Sequence, residues 1–183
     1  MPFFVVGTRP EIIKIAPIIH EFENRGINPY LLHTGQHYSD SLSSQFFQDM
    51  SLKKPDKNLN IGSGTHSEQT AKALIGIEKA LVKEKPDVVL VQGDTNAVLS
   101  AALAAVKLSI PVGHVEAGLR SYDIRMPEEH NRRLTDHISS YLFAPTQKSA
   151  SILRNERVWG EIFVTGNTVI DALENHMTLI KGR

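Results

Sequence analysis

The sequence predicts an α/β domain in which a parallel sheet is covered by helices on both faces. Three observations carry that prediction. Apolar runs of strand length recur six times, segments of helical period separate them, and no repeat, low-complexity tract or linker interrupts the alternation.

The elements follow in order. Phe3 to Val6 is the first strand, and Thr8-x-x-Glu11 opens a helix near 10–25 by the spacing of a capping box, with Pro10 in the first turn where no amide partner is lost. Pro29 to His33 is the second strand, followed by a helix near 39–50 and by Ser51 to Gly64, the only long loop expected. A second capping box, Thr65-x-x-Glu68, starts the helix over 66–84. Strands at Val88 to Val91, Val112 to Val115, Tyr141 to Ala144 and Ile162 to Val164 then alternate with helices near 96–108, 127–139, 147–155 and 168–180. Pro127 suits the first turn of its helix, and Trp159 and the pair Phe46-Phe47 read as packing residues.

A chain of 183 residues builds one domain or half of a two-domain enzyme. Its 41% hydrophobic and 22% charged residues are those of a globular protein rather than a disordered one. Twenty basic side chains balance twenty acidic ones, so no global field favours nucleic acid or an anionic membrane, and any anion must be held locally. The absence of cysteine excludes disulfides, thiolate nucleophiles and cysteine-bound zinc. MPFFVVGTRPE lacks a basic leader, and the longest apolar stretch, Ala97 to Leu108, falls short of the roughly 20 residues that cross a bilayer. The expectation is a soluble, cytoplasmic protein.

In an open parallel sheet, ligands bind at the carboxyl ends of the strands, where loops and helix N-termini converge. Three polar clusters fall there: Gly7-Thr8-Arg9-Pro10-Glu11-Ile12-Ile13-Lys14, Gln92-Gly93-Asp94-Thr95 and Glu116-Ala117-Gly118. The first opens a helix whose free amides favour an anion, and Arg9 and Lys14 add two cations, so a phosphate or pyrophosphate fits; a capped helix with a solvated lysine is the plainer alternative. Asp94 reads either as the N-cap of a helix beginning at Thr95 or as a carboxylate of a site. Glu116 has no helix to cap, and a carboxylate at the end of a buried strand needs water, a cation or a ligand. Glu128 and Glu129 suit a helix N-terminus, with Arg120, Arg132 and Arg133 as partners in a solvated ion-pair face.

Taken together, carboxylates in one cleft repel, so one carboxyl is expected to hold its proton toward neutral pH while another stays ionised. That combination beside an anion site suits elimination, proton transfer or glycosyl chemistry on a phosphorylated sugar. No Gly-x-Gly-x-x-Gly fingerprint and no Gly-x-Ser-x-Gly elbow is present, and Gly62-Ser63-Gly64 follows no expected strand. Eight histidines invite a metal, but His33 and His37 flank a loop and His130 and His137 lie two turns apart, so no metal site is expected; His114 reads as a buried imidazole.

GTRPEIIK, PDVVLVQGDT, GHVEAGLRS, MPEEHNR and FVTGNTVIDAL, in that order from Phe3 to about Leu173, resemble the non-hydrolysing UDP-N-acetylglucosamine 2-epimerases. The resemblance implies a Rossmann-like domain, one half of a GT-B type two-domain architecture whose active site lies between the halves. This sequence resembles the N-terminal one, spanning 1–183 with about 168–183 as a terminal or linker helix; the C-terminal nucleotide-binding half is not represented. The implied reaction removes UDP with loss of the C2 proton, passes through a glycal, and re-adds UDP to give UDP-N-acetylmannosamine without NAD or metal. Asp94, Glu116 and Glu128 are the implied acid–base carboxylates, the base among them being open, and Arg9 and Lys14 the implied substrate-binding cations. The implied partners are UDP-N-acetylglucosamine, a C-terminal half and a second copy in a homodimer, in polysaccharide biosynthesis.

The family's second half supplies most of the uridine pocket, a histidine in a Gly-His-Arg motif and a Ser/Gly-rich phosphate loop, none of which matches this sequence after Phe143; His176 is not equivalent to that histidine. Allosteric bacterial relatives carry Gln-His-Arg-Gln where this chain has Gln36-His37-Tyr38-Ser39, which argues against regulation by a second substrate molecule. Two alternatives stand beside the epimerase: half of a GT-B type glycosyltransferase, and a non-catalytic dimerisation domain.

Overall fold

The computed structural model describes residues 1–35 and 47–181, with side chains through residue 175. In chain order the elements are β1 (Pro2–Val6), α1 (Arg9–Asn24), β2 (Tyr30–His33), β3 (Lys57–Asn58), α2 (His66–Glu84), β4 (Val88–Gln92) and α3 (Asn96–Lys107). They continue as β5 (Val112–Val115), α4 (Pro127–Ile138), β6 (Tyr141–Ala144), α5 (Gln147–Asn155), β7 (Glu161–Val164) and α6 (Thr168–Lys181). The sheet order is β3-β2-β1-β4-β5-β6-β7, and every pair is parallel.

The six expected strands form, and β3 is a seventh inside the stretch expected to be a loop. It escapes periodicity because its two residues, Lys57 and Asn58, carry no apolar signal. Backbone bonding makes it: it registers with Leu32 and His33, and the Asp56 carboxylate accepts the Leu31 amide at 2.7 Å. Of the helix expected over 39–50, only 47–50 is described, helical over 47–49 and a turn at Met50; Phe46 and the Gln36–Ser39 run lie outside the described residues.

The period-2 alternation of β1 explains why the strand is apolar throughout. Phe3 and Val5 join one core with Ile77 and Leu81 of α2 and Val98 of α3, while Phe4 and Val6 join another with Ile12, Ile15 and Ile19 of α1. Each such side chain contributes roughly 1.5–3 kcal/mol by leaving water. Phe47 is buried in the second core, whereas Trp159 is exposed, so the packing role expected of the tryptophan is not observed. Thr65 and Glu68 exchange the two hydrogen bonds of a capping box, 2.9 and 3.2 Å. Helix α6 lies against α1. Among the described residues no helix is long and apolar enough to cross a membrane.

The strand order reverses direction of growth between β1 and β4, and the carboxyl ends there diverge to leave a crevice. The chain beyond β5 is shaped by Gly118, at φ +81, where an added Cβ would sit 2.5 Å from the Ser149 carbonyl oxygen and 2.9 Å from Leu153 Cγ. Gly118→Ala is therefore expected to cost about 2–3 kcal/mol, from left-handed strain and the backbone clash together, and urea denaturation of the variant measures it.

Candidate active site

The crevice at the carboxyl ends of β1, β4 and β5 holds a cavity of about 260 Å³. Thr8, Glu11 and Lys14 line it from the β1 end and α1; Gln92, Gly93, Asp94 and Thr95 line it from the β4 turn; Glu116 and Leu119 come from the chain after β5, and Arg132 from α4. Three of the five residues singled out from sequence, Lys14, Asp94 and Glu116, thus share one cavity. Glu128, in the first turn of α4, and Arg9, the first residue of α1, do not line it.

Glu116 follows β5 with a left-handed backbone, φ +70, a conformation a non-glycine residue adopts only when its surroundings hold it. Its amide and that of Ala117 both donate to the Phe143 carbonyl at 3.1 Å, which turns the carboxylate out of the sheet. Lys14 Nζ lies 2.9 and 2.7 Å from its two oxygens, Gln92 Nε2 donates to Oε2, and Asn167 Nδ2 reaches Oε1 at 3.4 Å. The cation demanded by a carboxylate at a strand end is Lys14, 102 residues away.

Asp94 is not a helix cap: Thr95 occupies that position, accepting the Val98 amide at 3.4 Å. The Asp94 carboxylate instead accepts Arg132 Nη2 at 2.5 Å, and its carbonyl accepts Asn131 Nδ2 at 3.0 Å. Arg132 also pairs with Glu129 at 3.3 Å, while Glu129 Oε2 accepts the amide and hydroxyl of Ser121 at 2.9 Å. Burial pushes the Glu129 carboxyl up, but Ser121 and Arg132 outweigh it and hold the group below the usual range.

A solvated face beside Glu128 and Glu129 is the expectation for these arginines; the Arg132–Glu129 pair is instead largely withdrawn from solvent, and so is Arg120. The buried Arg120 guanidinium donates Nη1 to Asp136 at 2.7 Å, and Nε and Nη2 to Glu156 at 3.0 and 2.5 Å. Arg133 also pairs with Glu156, at 3.4 Å. The second Asp136 oxygen meets His114 Nδ1 at 2.7 Å, and His114 Nε2 meets the Gly93 carbonyl at 2.7 Å. Burial raises the Asp136 carboxyl, and the adjoining His114 and Arg120 together bring it below its ordinary value. This buried chain ends on Gly93, the residue before Asp94, so it supports the turn although none of its side chains lines the cavity.

The carboxyl that holds its proton toward neutrality is Glu11, which the spacing had marked only as a cap. It is raised to about 7, chiefly by burial, with hydrogen bonds from Thr95, Gly7 and Thr8 opposing and the Asp94 charge adding to the rise. Burial, rather than repulsion among the carboxylates, is thus the main cause. The folded state keeps a proton that the unfolded chain loses near 4.5, so this stabilising contribution is complete below about 4.5 and is lost as pH rises through about 7. The loss amounts to roughly 3 kcal/mol. Urea midpoints at about pH 5 and about pH 8 are expected to differ in that direction, with Glu11→Gln reducing the difference.

Among the described residues no group of three histidine, aspartate or glutamate side chains could hold a metal ion. Gln92, Arg132, Asn131 and Asn167 were not singled out from sequence as working parts of the site. A polar residue closing an apolar strand was the available signal for Gln92, and the others depend on contacts between distant segments.

A family model described as UDP-N-acetylglucosamine 2-epimerase matches residues 20–183. A UDP-N-acetylglucosamine 2-epimerase of Methanocaldococcus jannaschii is 60% identical over 169 residues, which cover 92% of this chain and 46% of the relative. The UDP-2,3-diacetamido-2,3-dideoxy-D-glucuronate 2-epimerase of Pseudomonas aeruginosa is 46% identical over 153 residues, covering 83% of this chain and 43% of its own length. The crystal structure of M. jannaschii UDP-GlcNAc 2-epimerase in complex with UDP-GlcNAc and UDP superimposes with a TM-score of 0.95 at 56% identity, over 100% of this chain and 51% of that one. The chain spans about half the length of the relatives it matches.

Proposed function

The chain belongs to the UDP-N-acetylglucosamine 2-epimerase family, and on that premise we propose that it is the N-terminal half of an enzyme interconverting UDP-N-acetylglucosamine and UDP-N-acetylmannosamine. One observation carries the reading: two carboxylates and two cations from four separate segments, Asp94, Glu116, Lys14 and Arg132, line a single cavity at the sheet's crevice. The relatives' names share a UDP-linked amino sugar inverted at C2.

In the proposed reaction one carboxylate takes the C2 proton while the bond from C1 to the UDP oxygen breaks, leaving a C1–C2 double bond in the glycal. A proton returns to the opposite face of C2 and UDP re-adds at C1. Atoms and electrons balance without a redox partner. Asp94 and Glu116 are the acid–base pair in this scheme. Lys14 and Arg132 offset the charge gathering on the departing diphosphate, which must compete with the two carboxylates now holding those cations. Glu128 as a third acid–base group and Arg9 as a substrate contact rest on the family resemblance alone.

The uridine contacts and the remaining catalytic groups belong, in this proposal, to a C-terminal half. Groups that act as one unit lose most of their effect when some are missing, so this chain alone is expected to bind weakly and turn over little. A cytoplasmic homodimer is part of the proposal, again by resemblance.

Titrating UDP and UDP-N-acetylglucosamine into ¹⁵N-labelled chain tests where the ligand goes. The expected shifts fall at Lys14, the Gln92–Thr95 turn and Glu116. Shifts grouped instead on the groove between α1 and α6 would place the ligand elsewhere and defeat the proposal.

A further inference from the structure

Two glutamates of this chain occupy the same position in a capping box, yet they are treated differently by the fold. Glu68 accepts the Thr65 amide from an exposed position at the start of α2. Glu11, its counterpart on α1, is 3% exposed and lines the cavity. Capping needs only the Thr8 amide, which Oε2 accepts at 3.1 Å; the same oxygen also accepts the Gly7 amide at 2.5 Å. The other oxygen, Oε1, accepts the hydroxyl of Thr95 at 2.5 Å, across 84 residues of sequence. A cap that works exposed gains nothing from burial, and burying a carboxyl costs stability, so its place at the cavity calls for another role.

The contacts around Asp94 supply one. His114 holds the Gly93 carbonyl, Asn131 the Asp94 carbonyl and Arg132 the Asp94 carboxylate, all from β5 or α4. Among the hydrogen bonds described for this turn, the one from Thr95 to Glu11 ties it to the loop that opens the Lys14 helix. We infer that Glu11 is a positioning residue of the site, fastening the Gly7–Thr8 turn after β1 to Thr95 after β4 and thereby fixing Asp94 relative to Lys14. Its significance for turnover rests on the functional reading above; the tether itself does not.

The tether is sensitive to a proton. With Glu11 ionised, Thr95 donates to it; with a proton on Oε1 the direction reverses and Thr95 Oγ1 accepts from Glu11 beside the Val98 amide, its own proton losing Oε1 as an acceptor. Raised by burial to about 7, Glu11 makes that exchange near neutrality. The charged groups facing it are Asp94 on the β4 turn, Glu116 beyond β5, Lys14 on its own helix and Arg132 on α4.

The test uses this chain labelled with ¹⁵N, with Glu11→Gln and Glu11→Ala beside it. The wild-type amides of Gly7, Thr8 and Thr95 are expected to titrate together with a midpoint of about 7. Glu11→Gln, which keeps an acceptor for the two amides, abolishes that shared titration while leaving them protected from hydrogen exchange. Glu11→Ala, which removes the acceptor, speeds exchange at Gly7 and Thr8 by about tenfold or more and leaves the amides of α2 unchanged. Absence of a common titration in the wild type overturns the inference, and so does unchanged exchange at Gly7 and Thr8 in a folded Glu11→Ala; should that variant unfold, the Glu11→Gln titration decides alone. In the chain completed by a C-terminal half, Glu11→Ala is expected to lower turnover with Glu11→Gln retaining most of it. A wild-type complex without turnover would defeat the functional reading and leave the amide result standing.

Discussion

Asp136→Ala is expected to remove about 3–5 kcal/mol of folding stability, the cost of breaking one member of a buried charged network while its partners stay buried. Arg120 and Asp136 side chains are fully inaccessible to solvent, and Asp136 serves His114, Arg120 and the Gly118 amide at once. Removing the carboxylate strands a guanidinium in the interior with Glu156 as its remaining acidic partner. Asp136 titrates below its ordinary value in the folded chain, so its contribution is present above the unfolded carboxylate range and disappears as pH falls through the folded value. The gap between wild type and Asp136→Ala should therefore narrow in acid. Urea denaturation at neutral pH and in acid measures both effects, and a loss below about 1 kcal/mol at neutral pH would mean that the network contributes little.

The same network shows what sequence could and could not disclose. The strands were legible because a parallel sheet buried on both faces needs apolar side chains at successive positions, as Phe3, Phe4, Val5 and Val6 supply. The capping boxes were legible because Thr and Glu three residues apart are a local arrangement. β3 was not, since its pairing depends on backbone bonds to β2 and on Asp56, neither of which leaves a side-chain period.

For the site, the rule that ligands gather at strand carboxyl ends is enough to bring Lys14, Asp94 and Glu116 to one edge from the sequence. Their partners were hidden by distance along the chain. Arg132 meets Asp94 across 38 residues, and Lys14 meets Glu116 across 102. Glu11 was misjudged for the opposite reason: a sufficient local explanation, the cap, concealed the contact with Thr95. Arg120 and Asp136 sit in a run dense with charge, where a solvated face is the ordinary outcome, and only burial distinguishes them.

In the chain assembled with a C-terminal half, Glu116→Gln is expected to leave the fold intact and to lower proton transfer at C2 by about 10²- to 10⁴-fold, the range that a positioned acid or base contributes. The amide is nearly the shape of the carboxylate, and the one oxygen it keeps can still accept from Gln92 or from Asn167, which bond different oxygens of Glu116. What it loses is the charge facing Lys14 and the capacity to carry a proton. A fall of that size with an unchanged urea midpoint would separate chemistry from stability, which the left-handed backbone at this residue otherwise couples.

The most direct measurement of the central claim is deuterium incorporation at C2 of UDP-N-acetylglucosamine in D₂O, catalysed by this chain assembled with a C-terminal half. Incorporation by the wild-type complex, and its loss by about 100-fold or more in Glu116→Gln, is the expected result. Equal rates in the two, or no incorporation by a complex whose assembly has been verified, would contradict it.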